Sequence, residues 1–337
     1  MTISTGEWNA AVSAIGEARD AVISCHVNPD GDALGSALAL YLALAGTGRP
    51  AVVSFSEPFQ VAPQYRFLPG LERLTPPARV PRDADLFVCF DAGSLDRLGS
   101  LVDAFQGAQR TIVVDHHASN TRFGDVNLID AAAPASAVLC RELLARLRLP
   151  LDRDVATCLY TALVTDTGRF QYQATTPATH RLAAELLEAG VKQYEVAKAV
   201  FETNDIGYLR LAADVLSRVT QVPEASLVWT SVTLADQAAH GVDLDQTEGL
   251  IDLVRTDAAS DVAAVVKEQP DGSWKVSLRS KGGTNVGRIA TALGGGGHAF
   301  AAGYTSTLGL HDTVRSIVDA LLDHRSAGQV ASPTTAR

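Results

Sequence analysis

Cysteine is scarce in this 337-residue sequence: Cys25, Cys89, Cys140 and Cys158 stand far apart and form no CxxC pair. They read first as small buried hydrophobes, because Cys25 and Cys89 lie inside apolar runs; a disulfide or a thiolate metal ligand is the lesser alternative. No apolar run is long enough to span a membrane. The most apolar stretch, Ala33–Ala45, is short and interrupted by Gly35 and Ser36. The first 20 residues lack the basic start and apolar core of a signal peptide, so a cytoplasmic protein with no membrane association is expected. Positive charge is also in deficit, with a formal net charge of −10. Proteins that grip long nucleic acid by its backbone usually present a basic face. A binder of long duplex DNA is therefore not expected. A small phosphorylated substrate stays open, because bound metals can supply positive charge locally. No internal repeat is visible.

What the sequence does have is apolar content, 47% of residues, over a length that suits two domains. The N-terminal part alternates strand and helix signals. Ala21–Cys25, Ala51–Phe55, Leu86–Phe90 and Thr111–Val114 are short apolar runs, and Ala33–Ala45, Ser136–Leu147, Arg153–Val164 and Ala178–Ala189 are helix-like. Continuous apolar strands alternating with helices indicate an α/β fold, a doubly wound parallel sheet covered on both faces. This domain is expected over 1–190, followed by a helical linker over 191–222. A smaller mixed α/β domain is expected over 223–325. There Val262–Val266 and Trp274–Leu278 flank the turn sequence Pro270-Asp271-Gly272-Ser273. A polar, disordered tail is expected over 326–337.

The chemistry lies in a positional pattern. Ala21–Cys25 runs into His26, Asp30 and Asp32; Leu86–Phe90 runs into Asp91; Thr111–Val114 runs into Asp115, His116 and His117. In open parallel sheets ligands bind outside the carboxyl ends of the strands, so three strand ends aim His and Asp side chains at one crevice. Asp166, in the loop expected after the Arg153–Val164 helix, could close the same site. Each piece alone has a plainer reading. Asp30 and Asp32 could form a turn or a helix cap, Asp91 could be a loop-start residue, and His116-His117 could be a surface pair. Together they form a mixed His/Asp donor set without thiolate, which suits Mn²⁺, with Mg²⁺ or Co²⁺ possible. A carboxylate shared by two such ions spaces them for attack at phosphorus.

The run His26-Val27-Asn28-Pro29-Asp30-Gly31-Asp32, followed by Asp91, Asp115-His116-His117 and Asp166, resembles the DHH phosphoesterase superfamily. Gly295-Gly296-Gly297-His298-Ala299-Phe300-Ala301-Ala302-Gly303 resembles the glycine-rich motif of the DHH-associated domain. Length and motif order are most similar to the NrnA-like branch of nanoRNases that are also phosphatases of adenosine 3′,5′-bisphosphate (pAp). The resemblance implies a dimetal hydrolase. His26 and Asp30 would bind one ion and Asp32, His116 and Asp166 the other, with Asp91 shared. Asp115 would orient His116, and His117 would meet the substrate phosphate or leaving group. It further implies short RNA or small nucleotides as substrate and a homodimer. Linear or cyclic dinucleotides, such as pApA or cyclic di-AMP, are the alternative substrates.

In the second domain Arg279 is suited to bidentate phosphate recognition, with Lys281 a weaker candidate; an exposed basic strand end is the competing reading. Gly296, Gly297 and His298 are candidate substrate contacts, because glycines let a backbone approach a ligand closely and turn N–H groups to anions. The same glycines could instead form a flexible linker. Asn285 could be a helix cap or part of the family's helix entry. An Arg-Lys-Lys run, as in family II pyrophosphatases, is replaced here by Arg279-Ser280-Lys281.

Overall fold

A computed structural model describes the chain over residues 3–330 as two compact units that divide between Thr203 and Asn204. The first unit contains α1 (Thr5–Glu17), β1 (Ala21–Cys25), α2 (Gly31–Ala45), β2 (Ala51–Ser54), β3 (Leu86–Phe90), α3 (Val102–Gly107) and β4 (Thr111–Asp115). It continues with β5 (Val126–Ile129), α4 (Ser136–Arg146), α5 (Arg153–Asp166), α6 (Pro177–Glu188) and α7 (Gln193–Phe201). The second contains α8 (Ile206–Ser217), β6 (Thr220–Val222), β7 (Leu227–Val232), α9 (Leu234–His240), α10 (Leu250–Val254) and β8 (Val262–Glu268). It ends with β9 (Trp274–Ser280), α11 (Val286–Ala292), β10 (Gly296–Gly297), β11 (Ala301–Ser306) and α12 (Leu310–Val330).

The first unit is the doubly wound parallel sheet expected, with five strands in the order β2-β1-β3-β4-β5. β1, β3 and β4 are buried at every position, as befits strands covered on both faces. β5 escaped sequence reading, because Val-Asn-Leu-Ile is a short edge strand without a continuous apolar run. The strand order reverses between β1 and β3, the place where α/β sheets open a crevice. The register sets Cys25 level with Phe90 and Phe90 level with Val114. The residues just beyond those three strands therefore emerge side by side.

α2 is almost wholly buried and lies against α5. Glycines make that approach possible. A Cβ on Gly35 would stand 2.5 Å from the Cys158 carbonyl oxygen, and one on Gly31 would stand 2.4 Å from Thr165 Oγ1. α5 runs to Asp166, so this residue closes the helix rather than sitting in the loop after it.

The second unit is the smaller mixed α/β unit expected. Its six-stranded sheet has the order β10-β11-β9-β8-β7-β6, antiparallel throughout except for the β7–β8 pair. One face packs Val262, Val266, Val276, Leu278 and Tyr304 with α11 and α12, and the other packs Val228, Val232, Ala263 and Val265 with α8 and α10. Arg279 lies inside β9, and the segment read as a glycine-rich loop is β10, paired with Ala302 and Gly303 of β11. The segment expected as a linker holds α7 in one unit and α8 in the other. α12 continues to Val330, past Ser326 where the tail was expected to begin, and 331–337 lie outside the described residues. Among the described residues no helix is long and apolar enough to cross a membrane.

Candidate metal centre

Five of the six predicted ligands follow the carboxyl ends of β1, β3 and β4, and Asp166 ends α5. After β1 the chain passes through Asn28, in the left-handed region at φ 52°, and enters α2 with Asp30 as its cap. Asp30 Oδ1 accepts from the backbone N–H groups of Asp32 and Ala33, both at 3.0 Å. Its other oxygen faces His26 Nε2 at 3.9 Å. The cap reading therefore holds for one oxygen of Asp30 and leaves the other for the site.

Asp91 follows β3 with φ at 57°, a conformation uncommon for any residue with a side chain and tolerated best by Asn and Asp. Its Oδ2 lies 3.6 Å from His26 Nε2 and its Oδ1 lies 3.5 Å from His116 Nε2. Two donor sets result, His26–Asp30–Asp91 and Asp32–Asp91–His116, each with its ligand atoms within 4.8 Å of one another. Asp166 joins the second set, 3.1 Å from His116 Nε2, and Asp32 stands 3.8 Å from the same nitrogen. The structure thus brings together all six residues predicted to bind metal, with Asp91 common to both sets.

Backbone carbonyls fix the imidazoles. His26 Nδ1 donates to Val27 O at 2.8 Å and His116 Nδ1 donates to Ala133 O at 3.0 Å, which turns each Nε2 to the carboxylates. Asp115 does not orient His116, as the resemblance implied. Its Oδ1 accepts from His117 Nδ1 at 2.7 Å. Residues two apart at the end of an extended strand face the same way, and the one between faces opposite. Asn120, which the sequence did not mark, donates to Asp115 Oδ2 at 2.6 Å and to Ala92 O at 2.9 Å. A second unmarked residue is Ser136, at the start of α4; its hydroxyl donates to Asp91 Oδ1 at 2.9 Å. Asn120 lies five residues past Asp115 in a turn and Ser136 opens a helix, so both carry the composition of ordinary turns and caps.

The ionisable groups are strongly displaced. For His26, burial opposes the charged ring, but attraction to Asp30 and Asp91 outweighs it and lifts the ring to about 10. His116 is buried too and is raised by Asp91 and Asp32. Burial would push the Asp91 carboxyl up, yet His26, His117 and His116 hold it far below the usual carboxylate range. Asp32 moves the opposite way: burial first, then Asp91 and Asp166, drive it well above that range. The carboxylates outnumber the imidazoles that face them. Divalent cations among them would turn mutual repulsion into attraction. The donor chemistry, the oriented Nε2 atoms and the surplus of buried negative charge all fit a divalent-metal centre.

The predicted residues of the second unit gather around β9 and β10. Arg279 donates through NH1 to Leu278 O at 3.1 Å, while its Nε is buried with no hydrogen-bond partner among the described residues. Lys281 is turned to the Asp257 carbonyl. Gly297, at φ 132°, has no room for a Cβ, which would stand 2.7 Å from Ala301 O. Gly296 faces open space, so the two glycines differ: one is required by the β10–β11 pairing and the other is not. His298 N donates to Ala301 O at 2.8 Å.

Comparison with known proteins adds an independent observation. The model of the DHH family, N-terminal domain, matches residues 20–163, and that of the DHHA1 domain matches 228–324. The chain is 37% identical over 285 residues to the bifunctional oligoribonuclease and PAP phosphatase NrnA of Thermus thermophilus, covering 84% of this chain and 83% of that protein. It is 28% identical to the probable bifunctional oligoribonuclease and PAP phosphatase NrnA of Streptococcus mutans, covering 85% and 89%. An exopolyphosphatase-related protein from Bacteroides fragilis shares the fold with a TM-score of 0.88 at 24% identity, over 97% of this chain and 98% of that one.

Proposed function

The chain belongs to the DHH family of phosphoesterases, and from that premise we propose that it hydrolyses short oligoribonucleotides to mononucleotides and removes the 3′-phosphate of pAp. The observation that carries this reading is Asp91, whose two oxygens each face a different His/Asp set at the reversal point of a parallel sheet. In the proposal His26 and Asp30 would hold one divalent ion, Asp32, His116 and Asp166 would hold a second, and Asp91 would be shared between them. Imidazole and carboxylate donors without thiolate favour Mn²⁺. When bound, such ions supply Lewis acidity to a phosphoryl oxygen and lower the pKa of water.

The remaining steps fall to the chain's own residues. With Nδ1–H committed to Asp115, His117 presents Nε2 to the substrate. Burial works against its charged form, but Asp115 and Asp91 raise its pKa. The ring can therefore carry at Nε2 the proton that a leaving ribose oxygen takes up. On the second unit Arg279, Gly296, Gly297, His298 and Lys281 are the proposed substrate contacts. Arg279 is favoured over Lys281, whose ammonium already has a carbonyl partner. The net charge of −10 supports short substrates over long polymers. The proposal includes a cytoplasmic location and a homodimer, which sedimentation of the purified chain would test.

The test is a Mn²⁺-supplemented substrate panel of pAp, pApA, cyclic di-AMP, a five-mer RNA and a 24-mer RNA. Turnover of pAp and the five-mer with little on the 24-mer is expected; preference for the cyclic dinucleotide would overturn the substrate choice. Asp91→Ala should lose more than about a hundredfold in activity, beyond the range typical of changes behind the ligands. Near-normal turnover in that variant would refute the shared-carboxylate reading.

A further inference from the structure

α4 begins without a side-chain cap of its own. The residue before it is Ala135, and the first two N–H groups of the helix are instead taken by a carboxylate 104 residues earlier in the chain. Ser136 N donates to Asp32 Oδ2 at 2.6 Å, and Ala137 N donates to Asp32 Oδ1 at 3.0 Å. The Ser136 hydroxyl turns away from these amides and donates to Asp91 Oδ1 at 2.9 Å. One fully buried residue thus touches two carboxylates of the proposed centre, with its amide on Asp32 and its hydroxyl on Asp91.

The choice of oxygen matters. Oδ1 of Asp91 faces His116, and Oδ2 faces His26. A carboxylate on a single bond can rotate to present both oxygens to one side. A hydrogen bond to Oδ1 alone, from a hydroxyl anchored on a helix, selects the orientation that serves one set with each oxygen. Asp32 receives no hydrogen bond from that hydroxyl. It is oriented by the backbone, which substitution of the side chain leaves in place, with Ser36 Oγ adding a donor at 3.2 Å.

We propose that Ser136 is a positioning residue that sets the Asp91 carboxylate across the two metal-binding sets, and that its hydroxyl governs affinity for the second ion of the pair. This rests on the two-ion reading above. Groups that hydrogen-bond a metal ligand from behind typically account for about 10–100-fold in metal affinity. Loss of the hydroxyl is therefore expected to weaken one Mn²⁺ site by that factor and leave the other close to wild type.

The experiment is calorimetric titration of the full chain with Mn²⁺, together with electron paramagnetic resonance of the loaded protein, for wild type, Ser136→Ala and Ser136→Thr. Wild type should bind two ions with the signature of a coupled pair. Ser136→Ala should bind one ion normally and the second about 10–100-fold more weakly, and show uncoupled Mn²⁺ at ion concentrations that pair the wild type. Ser136→Thr, which keeps the hydroxyl, should restore the coupled signal. Wild type binding fewer than two ions would overturn the two-ion reading itself. Two ions in wild type and an unchanged pair in Ser136→Ala would overturn this inference alone. So would a loss of binding in Ser136→Ala accompanied by a large fall in the melting temperature of the metal-free protein, which would make the residue structural.

Discussion

Replacing Gly35 by Ala sets two effects of opposite sign against each other. Gly in a helix interior is less favourable than Ala by about 1 kcal/mol, so propensity alone makes the substitution stabilising. The structure argues the reverse. The new Cβ would stand 2.5 Å from the Cys158 carbonyl oxygen and 3.1 Å from Ala162 Cβ, against ordinary contacts of 3.4 Å and beyond. The first of these is backbone in the middle of α5 and cannot swing aside, so α2 and α5 must separate by roughly an ångström. Overpacking of this kind costs about 1–3 kcal/mol. Less the propensity gain, Gly35→Ala should destabilise the first unit by up to about 2 kcal/mol, which lowers its melting temperature by up to about 8 °C for a unit of this size. α2 carries Asp32 in its first turn and α5 ends on Asp166, 3.1 Å from His116 Nε2. Mn²⁺ affinity should therefore fall as well. Gly16→Ala in α1, where a Cβ meets nothing within 4 Å, is the control and should melt at or slightly above wild type. Calorimetric melts with and without Mn²⁺ decide the matter. A Gly35→Ala protein that melts above wild type would refute the close-approach argument.

Three further outcomes are expected. Asn120→Ala removes the donor on Asp115 Oδ2 and loosens His117, so steady-state kinetics should show kcat/KM falling about tenfold with Mn²⁺ affinity unchanged, in keeping with a hydrogen bond to a charged group. Arg19 grips Asp85 through its guanidinium and its backbone N–H, holding the Asp85 carboxyl down at about 2. A depressed carboxyl pKa contributes stability that is present above the unfolded value of about 4 and is lost as pH falls towards 2; denaturation midpoints should drop across that window in wild type and drop less in Asp85→Asn. Lys267 is fully buried with its Nζ 2.8 Å from Glu248, which also meets Lys275 at 3.1 Å. Glu248→Gln should cost about 2–3 kcal/mol in chemical denaturation, near the lower end for a broken buried pair because Glu248 is half-exposed, and adding Lys267→Met should recover most of it.

Local sequence carried much of the first unit. Three buried strands are largely apolar runs, each followed by a His or Asp, and this was enough to nominate five of the six ligands and the strand ends that precede them; Asp166 was nominated from the end of a helical segment. Local sequence failed where the signal is weak or lies elsewhere in the chain. β5 is a four-residue edge strand and β10 two glycines, neither with a pattern to read. β11, Ala-Ala-Gly-Tyr-Thr-Ser, is mostly small residues, and its pairing with β9 and β10 makes it a strand. The partner of Asp115 was misassigned although the alternation of side chains at a strand end favoured His117.

Residue type and order by themselves determined which groups could bind metal and that all but Asp166 follow strands, because both are properties of short segments. Tertiary structure alone decided that Cys25, Phe90 and Val114 share a level, that Asp91 turns one oxygen to each set, and that α4 delivers Ser136 to Asp91 and its first amides to Asp32. The contacts made by the start of α4 join residues 45 to 105 positions apart. Strand register and helix approach are set by the packing of whole elements, including the glycines that let α2 meet α5, and no local pattern encodes that geometry.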